Sequence, residues 1–189
     1  MLTNWDAVFD AVQREPPATA EELSRLEDDL RRPLSDVEID SIVRSQSNPW
    51  PVDDPHHASW APLSPMRWPM PARPLPASFL SFLAWSNGSF VVRARMEFGF
   101  FRGDEIRGCL LDHHLPRYMP MTVPLGLDGS GNFALLDLRE PVVSGEYPIL
   151  VAAAGNLGFE DSRRAADTFE QFCLRTDRVA DLLSKAGAA

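Results

Sequence analysis

Apolar side chains recur at three- and four-residue spacing through the first 45 residues, which is the period of an amphipathic helix. Residues 4–14 fit this spacing and predict a short helix. Thr19 with Glu22, and Ser35 with Glu38, form two capping boxes, in which a hydroxyl and a carboxylate satisfy backbone amides at a helix start. We therefore expect three helices in this part of the chain.

The pattern breaks in residues 47–76, which hold nine of the seventeen prolines and three of the five tryptophans. Such a proline density forbids a regular helix or a central strand and favours extended chain. A disordered linker normally lacks large aromatic residues. We therefore expect an ordered, extended segment, here named the strap (residues 47–76), laid across the body by its tryptophans. A proline-rich ligand for a small adaptor domain is the alternative interpretation.

A fourth predicted helix and a series of strands follow the strap. Pro76 stands at the first turn of this helix, where a missing amide costs little, and Asn87-Gly88 ends it, with glycine in the left-handed conformation. Residues 90–101 alternate, which predicts one long strand or two with a break near Gly99. Further strands are predicted at residues 106–111, after a turn at 102–105, and at 121–127, 132–138 and 147–152.

A hairpin turn is predicted where Asp128, Gly129 and Gly131 separate two of these strands. Residues 162–173 predict a helix, and a short helix around Val179 follows. Helices, then hairpin-linked strands, then helices indicate an α+β fold, in which an antiparallel β-sheet is flanked by helices.

The length and composition favour one domain over residues 1–189, because a chain of this size can bury one sizeable core. Residues 1–18 would form an N-terminal helix extension, and the strap would lie within the domain. No apolar run approaches a membrane span, and the start lacks the basic and apolar regions of a secretory signal. We therefore expect a cytoplasmic protein without membrane contact.

The net charge of −9 is unevenly distributed along the chain. Residues 21–54 hold ten acidic residues against four arginines, whereas residues 55–126 hold four acidic residues against seven arginines. An acidic surface repels phosphate backbones, which argues against direct binding of nucleic acid. The same surface suits a basic protein partner, because complementary charge speeds encounter and filters wrong partners. Acidic helices that only keep the protein soluble are the simpler explanation.

Residues with catalytic or metal-binding potential are few and scattered. Neighbouring residues on extended chain point to opposite sides, so neither His56-His57 nor His113-His114 can hold one metal ion alone. An enzyme with Cys109 as nucleophile beside His113 is an alternative function, although apolar neighbours favour a buried, inert thiol. We expect no catalytic residue, no metal and no cofactor.

Four stretches, in chain order, resemble signatures of the SUKH superfamily, which includes the Smi/Knr-type fungal cell-wall assembly regulators and many bacterial immunity proteins. Residues 75–88 resemble its LP…NG signature, and residues 124–137 resemble its P-x-G/A-x-D-G-x-G hairpin. Residues 20–30 are similar to its opening helix, and residues 165–172 to its closing A-x-S/T-F-E-x-F helix. Residues 34–74 are an insertion relative to that pattern.

The resemblance implies an antiparallel sheet wrapped by helices, no catalytic residues and, as in bacterial members, neutralisation of a toxin that is often a nuclease. A basic toxin domain would also suit the acidic surface. The expected function is therefore that of an immunity protein that binds its toxin stoichiometrically. A regulatory scaffold that binds several cytosolic partners, as in the fungal relatives, is the alternative.

The candidate partner-binding residues are Trp50, Asp53, Asp54 and Trp60, because acidic and aromatic residues mix there. Core packing of these tryptophans is the competing interpretation, since tryptophan is usually well buried. A second set of residues is expected to shape the chain, by ending a helix or turning a hairpin, and not to contact a partner. This structural set comprises Pro76, Asn87, Gly88, Asp128, Gly129 and Gly131.

Overall fold

The computed structural model describes residues 3–139 and 145–184. Its centre is a seven-stranded sheet in which the strands lie side by side in chain order, and each pair of neighbours is antiparallel. The strands are β1 (Ala11–Arg14), β2 (Ser89–Arg93), β3 (Met96–Phe100), β4 (Thr122–Leu127), β5 (Asn132–Asp137), β6 (Ile149–Ala153) and β7 (Arg163–Ala166).

Helices flank this sheet, which confirms the predicted α+β class. The two helices with capping boxes begin directly after Thr19 and Ser35, as the sequence predicts. The α-helices are α1 (Ala20–Arg31), α2 (Asp36–Ser45), α3 (Ala77–Trp85), α4 (Gly103–Asp112), α5 (Leu115–Tyr118), α6 (Phe169–Cys173) and α7 (Ala180–Ser184).

Both faces of the central strands are covered. On one face Phe100 packs against Phe82 of α3, with ring centroids 4.6 Å apart, and against Phe169 of α6. On the other face Phe133 of β5 meets the ring of His113, at the end of α4, with centroids 4.8 Å apart. The pairing register places the two phenylalanines on opposite faces of the sheet. This double cover explains why β5 is buried at every position.

Residues 4–14 are not a helix, so the predicted N-terminal helix extension is wrong. The segment forms a 3₁₀ turn at Trp5–Ala7 and then β1. The backbone N–H of Asp10 donates to the carbonyl of Val92 at 2.9 Å, and the Asp10 carboxylate accepts the amide of Ala94 at 2.6 Å. These bonds draw the chain onto the edge of β2. A helix this short is only marginally stable by itself, so pairing with β2 is the more stable arrangement for this segment.

Residues 90–101 form two strands, as one of the two alternatives predicts, but the break lies at Ala94 and not near Gly99. Ala94 has a φ of 49°, and the turn there separates β2 from β3. Phe90 is 44% exposed, whereas the adjacent Val91 is buried, so the two faces of β2 differ in cover.

Residues 103–112 form α4, so the predicted turn at 102–105 and strand at 106–111 are wrong. Glu105 accepts the backbone N–H of Arg102 at 2.9 Å and thereby caps the first turn of a helix. Ile106 and Leu110 are both buried and stand four residues apart, which suits one helix face. The cap and this spacing favour a helix, because a strand would bury alternate residues.

Residues 162–173 were predicted as one helix, and this prediction is wrong. Arg163–Ala166 instead form β7, which pairs with β6 at the edge of the sheet. The hydroxyl oxygen of Thr168 accepts the backbone N–H of Gln171 at 3.1 Å, so helix α6 begins only after Thr168. The open edge of β6 thus takes the first half of the segment as a strand.

The strap contains neither helix nor strand and is tied to the body at several points. The side-chain amide of Gln46 donates to the carbonyl of Leu63 at 3.0 Å and accepts its N–H at 2.7 Å. Trp68 packs against the hydrophobic core, with its ring centroid 5.2 Å from that of His114. Only one of the three strap tryptophans therefore reaches the core. Trp50 is exposed and Trp60 is half-buried.

Candidate partner-binding surface

The Trp50 loop, defined as residues 48–60, is a segment of the strap that is held by its own hydrogen bonds. The side-chain amide of Asn48 donates to the carbonyl of His57 and accepts the backbone N–H of Trp50, both at 3.0 Å. Nδ1 of His57 lies 2.8 Å from the carbonyl oxygen of Trp50. The loop is therefore closed across its width without any contribution from core packing.

The outer surface of this loop combines apolar and acidic groups. Trp50 is 43% exposed, and its ring lies against that of His56 with centroids 4.9 Å apart. Asp54 accepts the backbone N–H of His56 at 2.8 Å and lies 2.9 Å from its Nδ1. Asp53 is exposed, and its carboxylate has no partner within the described residues. Val52 is 84% exposed, a feature that the sequence analysis did not single out.

Trp60 ends the loop and is half-buried. Its backbone N–H donates to the carbonyl of His57 at 3.4 Å. No ring contact joins it to Trp50 in the part of the chain that the structure describes. All four candidate residues thus lie in the Trp50 loop, where Trp50 and Asp53 are exposed and Asp54 and Trp60 are half-buried.

The acidic residues of α1 and α2 are largely paired within their own helices or the turn between them. Exposed pairs of this kind reduce the free negative charge and add little stability. The number of acidic residues in 21–54 therefore overstates the negative charge that is available to a partner. An unpaired carboxylate such as that of Asp53 is correspondingly more important for binding. The pairs are Arg25–Glu21 at 2.9 Å, Arg31–Glu27 at 2.8 Å, Arg32–Asp29 at 2.9 Å, Arg32–Glu38 at 2.8 Å and Arg44–Asp40 at 3.0 Å.

Pro76, Asn87 and Gly88 hold backbone positions between the strap and the sheet. Pro76 is the N-cap of α3. The side-chain oxygen of Asn87 accepts the N–H of Gly103 at 2.7 Å, so it supports the start of α4, whereas α3 ends two residues before Asn87. Gly88 has a φ of 94°, and a Cβ there would lie 2.6 Å from Cγ of Arg102. Both features favour glycine at position 88.

The turn between β4 and β5 is organised by Asp128. Its carboxylate accepts the backbone N–H groups of Ser130 at 2.9 Å and Asn132 at 2.8 Å. Gly131 has a φ of 78°, whereas a side chain at Gly129 would meet open space and no positive φ is recorded there. Asp128 and Gly131 therefore shape the turn, and Gly129 is replaceable.

Cys109 of α4 and His113, which caps the end of that helix, stand four residues apart, but their side chains are not joined by a hydrogen bond among the residues described. Burial raises the pKa of the Cys109 thiol to about 12, with Asp112 adding to the rise. The ring of His113 packs against Phe133. No hydrogen bond joins the thiol to His113 among the residues described. The pair therefore lacks the contact through which a base activates a nucleophile.

Alkylation tests this environment. In the folded chain at pH 8, we expect iodoacetamide to modify Cys109 about 100-fold more slowly than in the urea-unfolded chain, because the protonated, half-buried thiol is unreactive. The rate is measured by mass spectrometry of the Cys109 peptide. Rates within about threefold of each other would show an accessible, ionisable thiol instead.

Neither a metal-binding cluster, nor a membrane-spanning helix, nor a similar known protein points to a further site in the described residues. Among residues 3–139 and 145–184, no group of three or more His, Cys, Asp or Glu side chains is placed to hold a metal ion. Over those same ranges, no helix combines the length and apolar character needed to cross a membrane. Comparison with known protein families and with characterised proteins gives no match to this chain. Its function is therefore inferred from the surface itself.

Proposed function

We propose that this chain is a non-enzymatic protein-binding module, an immunity protein of the cytoplasm that neutralises a basic toxin domain by stoichiometric binding. The observation that carries the proposal is that one loop presents both the exposed residue Trp50 and the exposed, unpaired carboxylate of Asp53. Aromatic side chains anchor protein interfaces, and a complementary charge selects the partner.

The internal bonding of the Trp50 loop supports this role. Binding costs free energy when flexible segments must be ordered, and a loop already closed by Asn48 and His57 avoids part of that cost. The two hydrogen bonds between the Gln46 side chain and the backbone of Leu63 hold the strap just beyond the loop. A rigid loop with an exposed aromatic ring is a suitable anchor for a tight complex.

The chemistry of the partner is suggested by charge. The chain carries a net charge of −9 and a single lysine, so it repels nucleic acid and attracts basic proteins. A nuclease toxin needs a basic groove for its own substrate, and an acidic protein seated there would mask that groove. The four sequence stretches that resemble the SUKH superfamily point to the same class of function.

Charge reversal and truncation within the loop should weaken the complex. For the double variant Trp50→Ala/Asp53→Lys we expect a loss of about 100-fold in affinity, because an aromatic anchor and a charge pair are removed together. The control, Val37→Ala/Asp28→Lys, changes one exposed apolar residue on α2 and one exposed acidic residue on α1. Its affinity should stay within about threefold. Isothermal calorimetry measures both affinities against a basic toxin domain, sought among the open reading frames that neighbour this gene.

A growth assay tests the function itself. Cells that express that toxin domain should survive when the wild-type chain or the control variant is co-expressed in equal amount, and die with Trp50→Ala/Asp53→Lys. Protection by the chain at a small fraction of the toxin concentration would indicate turnover and contradict stoichiometric masking. Capture of several housekeeping proteins, with no protection against any toxin, would favour the regulatory scaffold.

A further inference from the structure

Most arginine side chains in this acidic protein are paired with another group of the chain. Of the seventeen, most form ion pairs with carboxylates or hydrogen bonds to backbone carbonyls, as Arg95 does with Asp177 at 2.6 Å and Arg175 with the carbonyl of Ala165 at 2.9 Å. Within the described residues, the side chains without any such partner are those of Arg67, Arg73, Arg117 and Arg178.

Two of these free arginines line the same cleft. Arg67 comes from the strap and Arg117 from α5, and both are exposed. The cleft has a volume of about 420 Å³, which is within the range of small-molecule sites. Among the described residues that line it, none carries a carboxylate. Two guanidinium groups without a counter-charge therefore create a local positive potential on an otherwise acidic molecule.

The remaining lining of the cleft is mostly apolar. It consists of Trp68, Leu63, Ser64 and three prolines, namely Pro69, Pro116 and Pro120. Trp68 packs against the hydrophobic core and against the ring of His114, with centroids 5.2 Å apart. Proline rings have little freedom to lose when a ligand binds. The wall is therefore formed before any ligand arrives.

We propose that this cleft, here named the Arg67–Arg117 cleft, binds a small organic anion with a planar apolar body. The ring of the ligand lies against Trp68, and its carboxylate or phosphate pairs with the two guanidinium groups. Arginine suits both anions, because its planar fork donates two parallel hydrogen bonds to two oxygens. The cleft shares no residue with the Trp50 loop and carries positive charge where the loop carries negative charge. It therefore goes beyond the proposed function.

Defined probes test the proposal on the wild-type chain. Indole-3-acetate offers a carboxylate and phenyl phosphate a phosphate, while benzyl alcohol lacks the charge and inorganic phosphate lacks the ring. Binding is followed by two-dimensional NMR through the indole N–H of Trp68. We expect at least one aromatic anion to saturate with a dissociation constant below about 1 mM, and both partial probes to bind at least about tenfold more weakly. The tighter of the two aromatic anions identifies the preferred anionic group.

Matched variants locate the charge. Arg67→Glu/Arg117→Glu should lower the affinity for the aromatic anion at least about tenfold, because two attractive guanidinium groups are replaced by carboxylates that repel the anion. Arg73→Glu/Arg178→Glu makes the same charge change at the two free arginines outside the cleft, and should leave the affinity within about twofold. Circular dichroism checks that both variants are folded. The proposal is overturned if no aromatic anion saturates, if benzyl alcohol binds as well, or if both double variants lose affinity equally.

Discussion

Gly126→Ala should destabilise the fold by about 3 kcal/mol or more, which is at the upper end for an added methyl group in a packed core. Gly126 lies in β4 opposite Phe100, within the short stretch over which β4 pairs with β3. A Cβ at this position would lie 2.0 Å from the carbonyl oxygen of Gly99 and 2.6 Å from the ring of Phe98. A side chain can turn away, but the strand backbone cannot move without breaking its pairing.

The control for this prediction is the same substitution in an open place. A Cβ at Gly108, within α4, would meet no heavy atom within 4 Å. Gly108→Ala should therefore stabilise the protein by about 0.5–1 kcal/mol through helix propensity. Chemical denaturation of both variants measures the two free energies of unfolding. Equal effects at the two positions would contradict the close approach of β3 and β4.

Arg107→Met should cost about 3 kcal/mol, near the lower end for breaking a buried ion pair. The Arg107 side chain is almost fully buried, and its Nε and Nη2 lie 2.7 and 3.0 Å from the two carboxylate oxygens of Glu38. The same guanidinium donates to the carbonyls of Asp29, Arg32 and Pro33 at the end of α1. Methionine keeps the apolar stem of the side chain but leaves these acceptors without their donor.

The control for this prediction is the same substitution at an arginine whose ion pair is exposed. Arg25→Met removes an exposed pair with Glu21 on the same side of the molecule and should change stability by less than about 0.5 kcal/mol. Denaturation midpoints at pH 7 compare the two variants. A loss at Arg107 no larger than that at Arg25 would show that the buried contact contributes nothing specific.

The same ion pair makes a pH prediction. The Arg107 guanidinium holds the pKa of the Glu38 carboxyl well below its usual range, and Arg32 and Ser35 lower it further. A lowered pKa in the folded state means that the stabilisation is complete above the pKa of the unfolded chain, about 4.3, and declines as the pH falls below it. The difference in stability between the wild-type chain and Arg107→Met should therefore narrow below about pH 4. A difference that stays constant to pH 2.5 would argue against ionic pairing.

Short-range signals predicted the parts of the fold that they control. The capping boxes at Thr19 and Ser35 locate α1 and α2, because the bonds that start each helix lie within three residues. The turn at Asp128 is similarly local, since its carboxylate bonds to amides two and four residues ahead. The hydrogen bonds that define these segments are local, so the sequence alone is enough to predict their structure.

Long-range partners contribute to the segments that were predicted wrongly, although α4 also has the local Glu105 cap. The first turn of α4 receives its amide acceptor from Asn87, sixteen residues earlier in the chain. The carbonyls that accept from Arg107 lie on α1 and in the turn after it, more than 70 residues away. β1 exists because β2 offers an edge to Asp10 and its neighbours. None of these partners can be identified from local spacing.

The candidate site was predictable only as a mixture of residue types. Trp50 and Trp68 occupy similar proline-rich surroundings in the sequence, yet one ring is exposed and the other packs on the core. Which arginine finds a carboxylate is equally a property of the folded chain, as the free pair Arg67 and Arg117 illustrates. Tertiary packing selects which members of a residue type remain available for a partner.

Hydrogen exchange of the chain, alone and in complex with its toxin domain, tests the central claim most directly. The account predicts that amides within residues 48–60 slow by at least about tenfold on binding, while β4 and β5, already protected, change little. It also predicts one bound chain per toxin domain. A footprint that leaves the Trp50 loop unchanged would contradict the account, even if the complex itself were tight.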